Sequence, residues 1–312
     1  MIKQLKTDFR YAIYSGLGIL ILLLFVISTV LIFFLNDQKA RSEIMVFQQT
    51  VEQVEKYGED VEAAMQKDYE IMQSDSDSQV IRNPLAYYRE ELGKFIYMQK
   101  TEYTFTQFCE GIFSFLPILS AFFGFAWLSC ELKHKTFRLK VLRCGKQKMI
   151  ISRQLSGFLI LAVILCLTIP AAYGLQAVFS GKLQSDHSSI FTSIPMVSVL
   201  TASTWKKTAV ILFRTLFYYE LGFTFCNLLN GNPISIILIC IYLFFVPTLF
   251  RYDISNAFNN IASEIFAFAG AFQLKPIMEL PVLCSWIELT GILIALIAIN
   301  SIWVQKKSAY IA

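Results

Sequence analysis

Histidine is nearly absent from this chain: His134 and His187 are the only two in 312 residues. They stand far apart in sequence, which argues against a histidine-based metal centre within one chain. There is no HExxH motif, and no GxxxxGK[ST] loop of the kind that cradles nucleotide phosphates. The cysteines (Cys109, Cys130, Cys144, Cys166, Cys226, Cys240 and Cys284) include no CxxC pair, and none lies in the polar stretch 36–104. That distribution gives no support to a disulfide framework and leaves each one readable as a small buried apolar side chain. Charge is scarce as well: 16% of residues are charged and 55% are hydrophobic. So many long uncharged runs do not suit a soluble domain, and the chain reads as a polytopic membrane protein.

What is present is a series of apolar runs close to the ~20 residues needed to cross a bilayer. They cover 13–35, 106–129, 155–178, 208–229, 234–250 and 282–304. The run from Ile13 to Leu35 is too long for a signal peptide and no small-residue cleavage site follows it, so it reads as a retained first span. Asn230–Gly231–Asn232–Pro233 marks a turn between the fourth and fifth runs. Within 251–281, the apolar stretch 265–272 is too short to cross and reads as re-entrant or interfacial. The expected fold is an all-α polytopic membrane protein: six transmembrane helices, with an extracellular helical hairpin between the first and second. Segment 1–35 is the cytoplasmic N-terminal piece and first span, 36–104 the hairpin, and 105–312 a five-span membrane domain.

Cations set the orientation, because short loops rich in Lys and Arg stay in the cytoplasm. Segment 131–153 carries Lys133, Lys135, Arg138, Lys140, Arg143, Lys146, Lys148 and Arg153 against the single acid Glu131. Lys3, Lys6, Arg10, Lys306 and Lys307 fall on the same side, which puts both termini inside. The net charge of +4 carries no nucleic-acid signal, since these cations cluster beside spans and no RNA or DNA motif accompanies them. In the acidic outer region, Ile44, Phe47, Val51, Val54, Val61, Met65 and Met72 keep a three–four spacing that resumes at Leu85, Tyr88, Leu92 and Phe95. Two helices with apolar seams joined by a polar turn form such an antiparallel hairpin, either a stalk or a recognition surface.

Glu110 and Arg214 lie at similar depth in their spans, where facing lipid is costly, so they either face protein or water, with a pair between them open, or reach out to the interface; Glu220 sits deeper. Glu220 could line a substrate path, bind a helper cation or hydrogen-bond a neighbouring helix in protonated form. The aromatics of the second and fourth runs, Phe113, Phe123, Phe217 and Phe223 among them, either pack between helices or line an apolar path.

Inside the basic segment, Phe137, Val141 and Leu142 share one face of a short helix while Arg138, Lys140 and Arg143 hold the others, and Cys144–Gly145 ends it. Such a helix suits either an anionic lipid surface or the cleft of a soluble partner. The run Glu131, Lys135–Thr136–Phe137, Gly145, Lys148 and Arg153 resembles the coupling segment of type-2 ATP-binding-cassette (ABC) exporter permeases. The order of spans is similar too. Lys135 replaces the usual Gly, Cys144–Gly145 replaces a small residue followed by Pro, and Arg153 replaces the common Lys. The resemblance implies a permease subunit that is not itself an enzyme, exporting an amphipathic peptide, lipid or drug-like cargo. It implies a second permease, the same chain or a sister, and two cytoplasmic ABC ATPase subunits that hold the ATP and Mg, with no cofactor on this chain. Glu131 would position the coupling helix; Lys135, Thr136, Phe137, Arg138, Val141 and Gly145 would belong to its ATPase contact. The setting would be a bacterial plasma membrane. The other classes are a membrane scaffold or sensor, a secondary transporter and an intramembrane enzyme; the last lacks a nucleophile–base pair or metal cluster at membrane depth.

Overall fold

A computed structural model describes residues 2–58, 60–73, 79–133, 145–245 and 251–306. Helix α1 (Ile2–Tyr14) is amphipathic and is separated from α2 (Leu17–Lys56) by Gly16, whose φ of 72° few other residues adopt. The apolar run 13–35 therefore begins across a helix break. Helix α2 then continues far beyond the end of that run. Its polar half stays helical because Lys39–Glu43 and Arg41–Asp37 pair one turn apart, at 2.5 and 2.9 Å. That half also buries Ala40, Ile44 and Phe47.

The outer seam does not run through as one helix. Gly58, also at φ 72°, follows α2; α3 (Val61–Gln66) is then capped by Asp60, which accepts from the Glu62 and Ala63 amides. Strands β1 (Glu70–Gln73) and β2 (Gln79–Arg82) pair antiparallel, with Glu70 opposite Arg82, so Met72 lies on a strand and not on a helical seam. Asn83 caps α4 (Pro84–Met98), with Pro84 at the position where its missing N–H costs nothing. Leu85, Leu92, Phe95 and Ile96 of α4 join Ala40, Ile44 and Phe47 in a small separate core. On its outer face Lys94 bridges Glu90 and Glu91 at 2.9 and 2.8 Å. Burial works against the Lys94 charge, but the two carboxylates outweigh it and raise its pKa, while Lys94 holds Glu90 below the usual carboxylate range.

Beyond the 3₁₀ turn Thr101–Tyr103 come α5 (Thr104–Lys133), α6 (Lys146–Asp186), α7 (Ser188–Ser193) and α8 (Thr204–Leu228). They are followed by α9 (Ile234–Phe245), α10 (Ile254–Ser263) and α11 (Val282–Lys306). Among the described residues five helices are long and apolar enough to cross a membrane: α2, α5 with its leading turn, α6, α8 and α11. Helix α9 is apolar but shorter, and the remainder of the expected span 234–250 lies outside the described residues.

Helices α5 and α8 form the centre, each buried over most of its apolar length, whereas α2, α6 and α11 are buried over less than half. Small residues let the central pair approach. A side chain at Gly124 would run into the Tyr219 carbonyl, and one at Gly222 into the Ala121 carbonyl. Phe113, Phe123, Phe217 and Phe223 are buried in this main core, so they pack between helices.

Segment 264–281 is irregular yet holds buried Phe266, Phe268 and Leu280. Several of its backbone amides are satisfied by side chains, which irregular chain needs wherever it is buried. Asn256 Oδ1 accepts from the Ile277 and Met278 amides, Asn260 Oδ1 from Leu280, and Asn36 Oδ1 from Ala271.

Candidate functional site

Two polar centres lie inside the apolar bundle, one at each end of α5. The first is where α5 ends and α6 begins, at the root of the basic segment. Met149, Ile150, Arg153, Gly157 and Ile160 recur at helical spacing, which turns Arg153 inward with its apolar neighbours. Arg153 has no exposed surface, and Asp8 and Glu131 have 1% and 0%. Its Nη1 donates to Asp8 Oδ1 at 3.1 Å, and its Nη2 stands 3.3 Å from Glu131 Oε1. The same Nη2 donates to the Trp127 carbonyl at 2.9 Å, and the guanidinium lies 3.5 Å from the centre of the Trp127 ring. The second oxygen of Asp8 accepts from the Ser156 hydroxyl at 3.1 Å.

The Arg153 carbonyl in turn accepts from Trp127 Nε1 and the Tyr219 hydroxyl, both at 3.1 Å. One residue further along each helix the network goes on: Gln154 Nε2 donates to Glu220 Oε2 at 2.7 Å, and Asn300 Nδ2 donates to the same oxygen at 3.2 Å. Asn300 also donates to Thr224 Oγ1 at 2.9 Å and accepts from Asn227 Nδ2 at 3.2 Å. Helices α1, α5, α6, α8 and α11 are thus joined by polar contacts in a low-dielectric setting, where each contact is stronger and each broken one costs more. The arrangement holds helices against one another.

Of the residues expected to form the coupling helix, Lys135, Thr136, Phe137, Arg138 and Val141 lie outside the described residues. Glu131 and Gly145 stand at either side of them. Glu131 is buried in the last turn of α5, where the helix dipole opposes an acid, and Arg153 is the charge facing it. Gly145, at φ 78°, directly precedes α6. Glu220 accepts hydrogen bonds from two neighbouring helices, through Gln154 and Asn300.

The second centre holds Glu110 and Arg214, both buried against protein, with 3% and 5% of their surface exposed, and not paired with each other. Glu110 Oε1 accepts from the Tyr103 hydroxyl at 3.1 Å and from the Phe268 amide at 3.2 Å, so it fastens the irregular segment to α5. Arg214 is surrounded by rings, its guanidinium 3.5 Å from the centre of Phe113, 5.1 Å from Phe258 and 5.7 Å from Tyr218. Nearby Lys207 donates to the Thr106 and Thr201 hydroxyls at 2.6 and 2.8 Å. Between α2, α5 and α9, an apolar groove of about 260 Å³ is lined by Leu24, Ile118, Phe122, Ile236, Ile239 and Leu243.

Sequence reasoning missed Asp8, Trp127, Gln154, Tyr219 and Asn300. Spacing could have placed Arg153 on an inward stripe, but nothing local in Asp8 or Asn300 reveals a partner on another helix. Among the described residues no cluster of metal-ligating side chains occurs. Compared with family models, curated proteins and solved structures, the chain has no match.

Proposed function

We propose that this chain is the membrane-spanning permease subunit of a type-2 ABC exporter, moving an amphipathic cargo with ATP hydrolysed by separate subunits. The observation that carries the reading is the ion cluster of Asp8, Glu131 and Arg153 at both roots of the basic segment 131–153. A loop that only adhered to lipid would need no such anchorage. A loop that receives force from a docked partner needs a rigid connection to the bundle, and the network from Arg153 to Asn300 supplies one across five helices. The apolar groove beside α5 supports a cargo with an apolar part.

In this reading the helix around Phe137 docks in each of two cytoplasmic ATPases, which bind ATP and Mg, and the permease works beside a second copy or a sister. Both termini and the basic segment face the cytoplasm of a bacterial plasma membrane, 36–104 forms the outer hairpin, and α9 begins a sixth span. The test is co-expression with the ATPase encoded beside it, extraction in mild detergent, and measurement of complex mass and ATP hydrolysis. The wild type is expected to carry two ATPases, and Phe137→Asp/Arg138→Glu to lose them. If no ATPase binds to either, the chain is a scaffold, sensor or secondary transporter instead.

A further inference from the structure

A cleft of about 460 Å³ opens where the end of α4, the turn after it and the last turns of α6 meet. That volume is within the range in which proteins hold small ligands. Its polar walls are Lys100, Thr101 and Glu102 on one side and Ser180 and Gln184 of α6 on the other. Ile96, Phe191 and Met196 add apolar lining. The two sides are tied together beside the cleft: Gln176 Nε2 donates to the Gln99 carbonyl at 3.1 Å and to Gln99 Oε1 at 3.3 Å. Lys100 and Glu102 are exposed, and neither forms an ion pair with the other or with any described residue. The cleft therefore presents one cation and one anion to whatever enters it.

Two chain segments set its height independently. The apolar run of α6 ends at 178, so Ser180 and Gln184 stand about 3 and 9 Å beyond it at 1.5 Å per residue. Glu102 precedes the run beginning at 106 by a similar distance. The polar layer on each face of a bilayer is about 5–8 Å deep, so the cleft spans the headgroups on the side where 36–104 is attached. Below it, Gln184 and Ser180 continue a helical stripe of Ala177, Tyr173, Pro170 and Cys166, all four of them exposed and lacking charge. A ligand seated in the cleft thus has an apolar track leading into the membrane. We propose that the cleft binds the headgroup of a zwitterionic aminophospholipid such as phosphatidylethanolamine, its phosphate at Lys100, its ammonium at Glu102 and an acyl chain along the α6 stripe. A primary ammonium donates charge-assisted hydrogen bonds to a carboxylate, which a choline group cannot. An anionic headgroup would leave Glu102 facing negative charge. Binding needs only this chain and does not rest on the exporter reading.

The experiment uses the full chain, delipidated in dodecyl maltoside without any ATPase. It is mixed with equal amounts of phosphatidylethanolamine, phosphatidylcholine and phosphatidylglycerol of one acyl composition, and retained lipid is counted by native mass spectrometry. Phosphatidylethanolamine is expected to be retained about fivefold over either competitor, the upper end for an exposed ion pair. Lys100→Ala/Glu102→Gln is expected to abolish that preference, and Lys182→Ala, at an exposed position of α6 outside the cleft, to keep it. Both cleft positions are at the surface, so the double variant leaves the packing between helices as it is. Equal retention of the three lipids by the wild type, or an unchanged preference in the double variant, would overturn the proposal. So would displacement of the lipid by an equal concentration of glycerophosphoethanolamine, which has the headgroup without the chains, because the ligand would then be a soluble zwitterion. A preference that depends on Lys100 and Glu102 stands even if no ATPase ever docks, so the two readings fail separately.

Discussion

A guanidinium with no accessible surface has to find its solvation inside the protein, and Arg153 finds it in Asp8, Glu131 and the ring and carbonyl of Trp127. Removing one partner of such a cluster leaves an uncompensated buried charge, which costs roughly 3–5 kcal/mol. Arg153→Met is therefore expected to lower the unfolding temperature sharply in detergent. The triple replacement Asp8→Asn/Glu131→Gln/Arg153→Met removes all three charges and is expected to recover much of the loss. Thermal unfolding of both variants beside wild type checks this; a triple variant no better than the single one would mean that shape, not charge, holds the site. The inward stripe of Arg153 was legible in its spacing. Its two acids were not, because they come from chain segments 145 residues before it and on the other side of the basic segment. Glu110 and Arg214 make the converse case. Similar depth suggested a pair, yet depth says nothing about which way two helices are rotated.

At the scale of elements, α2 shows why hydropathy places helix boundaries poorly. The apolar run ends near Leu35, but the helix ends only at Lys56, because paired charges and the Ala40, Ile44, Phe47 stripe carry it onward. Segment 264–281 shows the opposite limit, an apolar stretch that is neither strand nor helix. Its form depends on side chains from elsewhere, above all Asn256, which accepts from two backbone amides and donates to the carbonyls of Arg251 and Met278. Each backbone group left unsatisfied when buried costs about 1–3 kcal/mol. Asn256→Ala is expected to lower thermal stability and to open 264–281 to protease, while Ser263→Ala, at an exposed position, stays close to wild type. Equal digestion of the two variants would show that the segment holds its shape without Asn256.

For the whole molecule, α5 is long and apolar enough to cross a membrane, and segment 36–104 and the basic segment are attached at its two ends; the exporter reading puts them on opposite sides. An epitope inserted at position 76 is expected to be reached by antibody on intact spheroplasts, and one inserted at position 140 only after permeabilisation. Labels reached on the same side would remove α5 as a crossing helix.

Run length and turn residues are properties of neighbouring positions, so the sequence by itself determined the all-α membrane class and most of the helices long and apolar enough to cross a bilayer. The contacts between helices were decided only by the tertiary structure. Gly124 and Gly222 bring α5 and α8 together closely enough to set how every other helix is turned around them. That rotation puts Asp8 and Glu131 on Arg153, Glu110 on the Phe268 amide, and Arg214 among rings. Partners so distant in the chain meet only when side-chain shape along the helix faces fixes their rotation, and no local pattern encodes that.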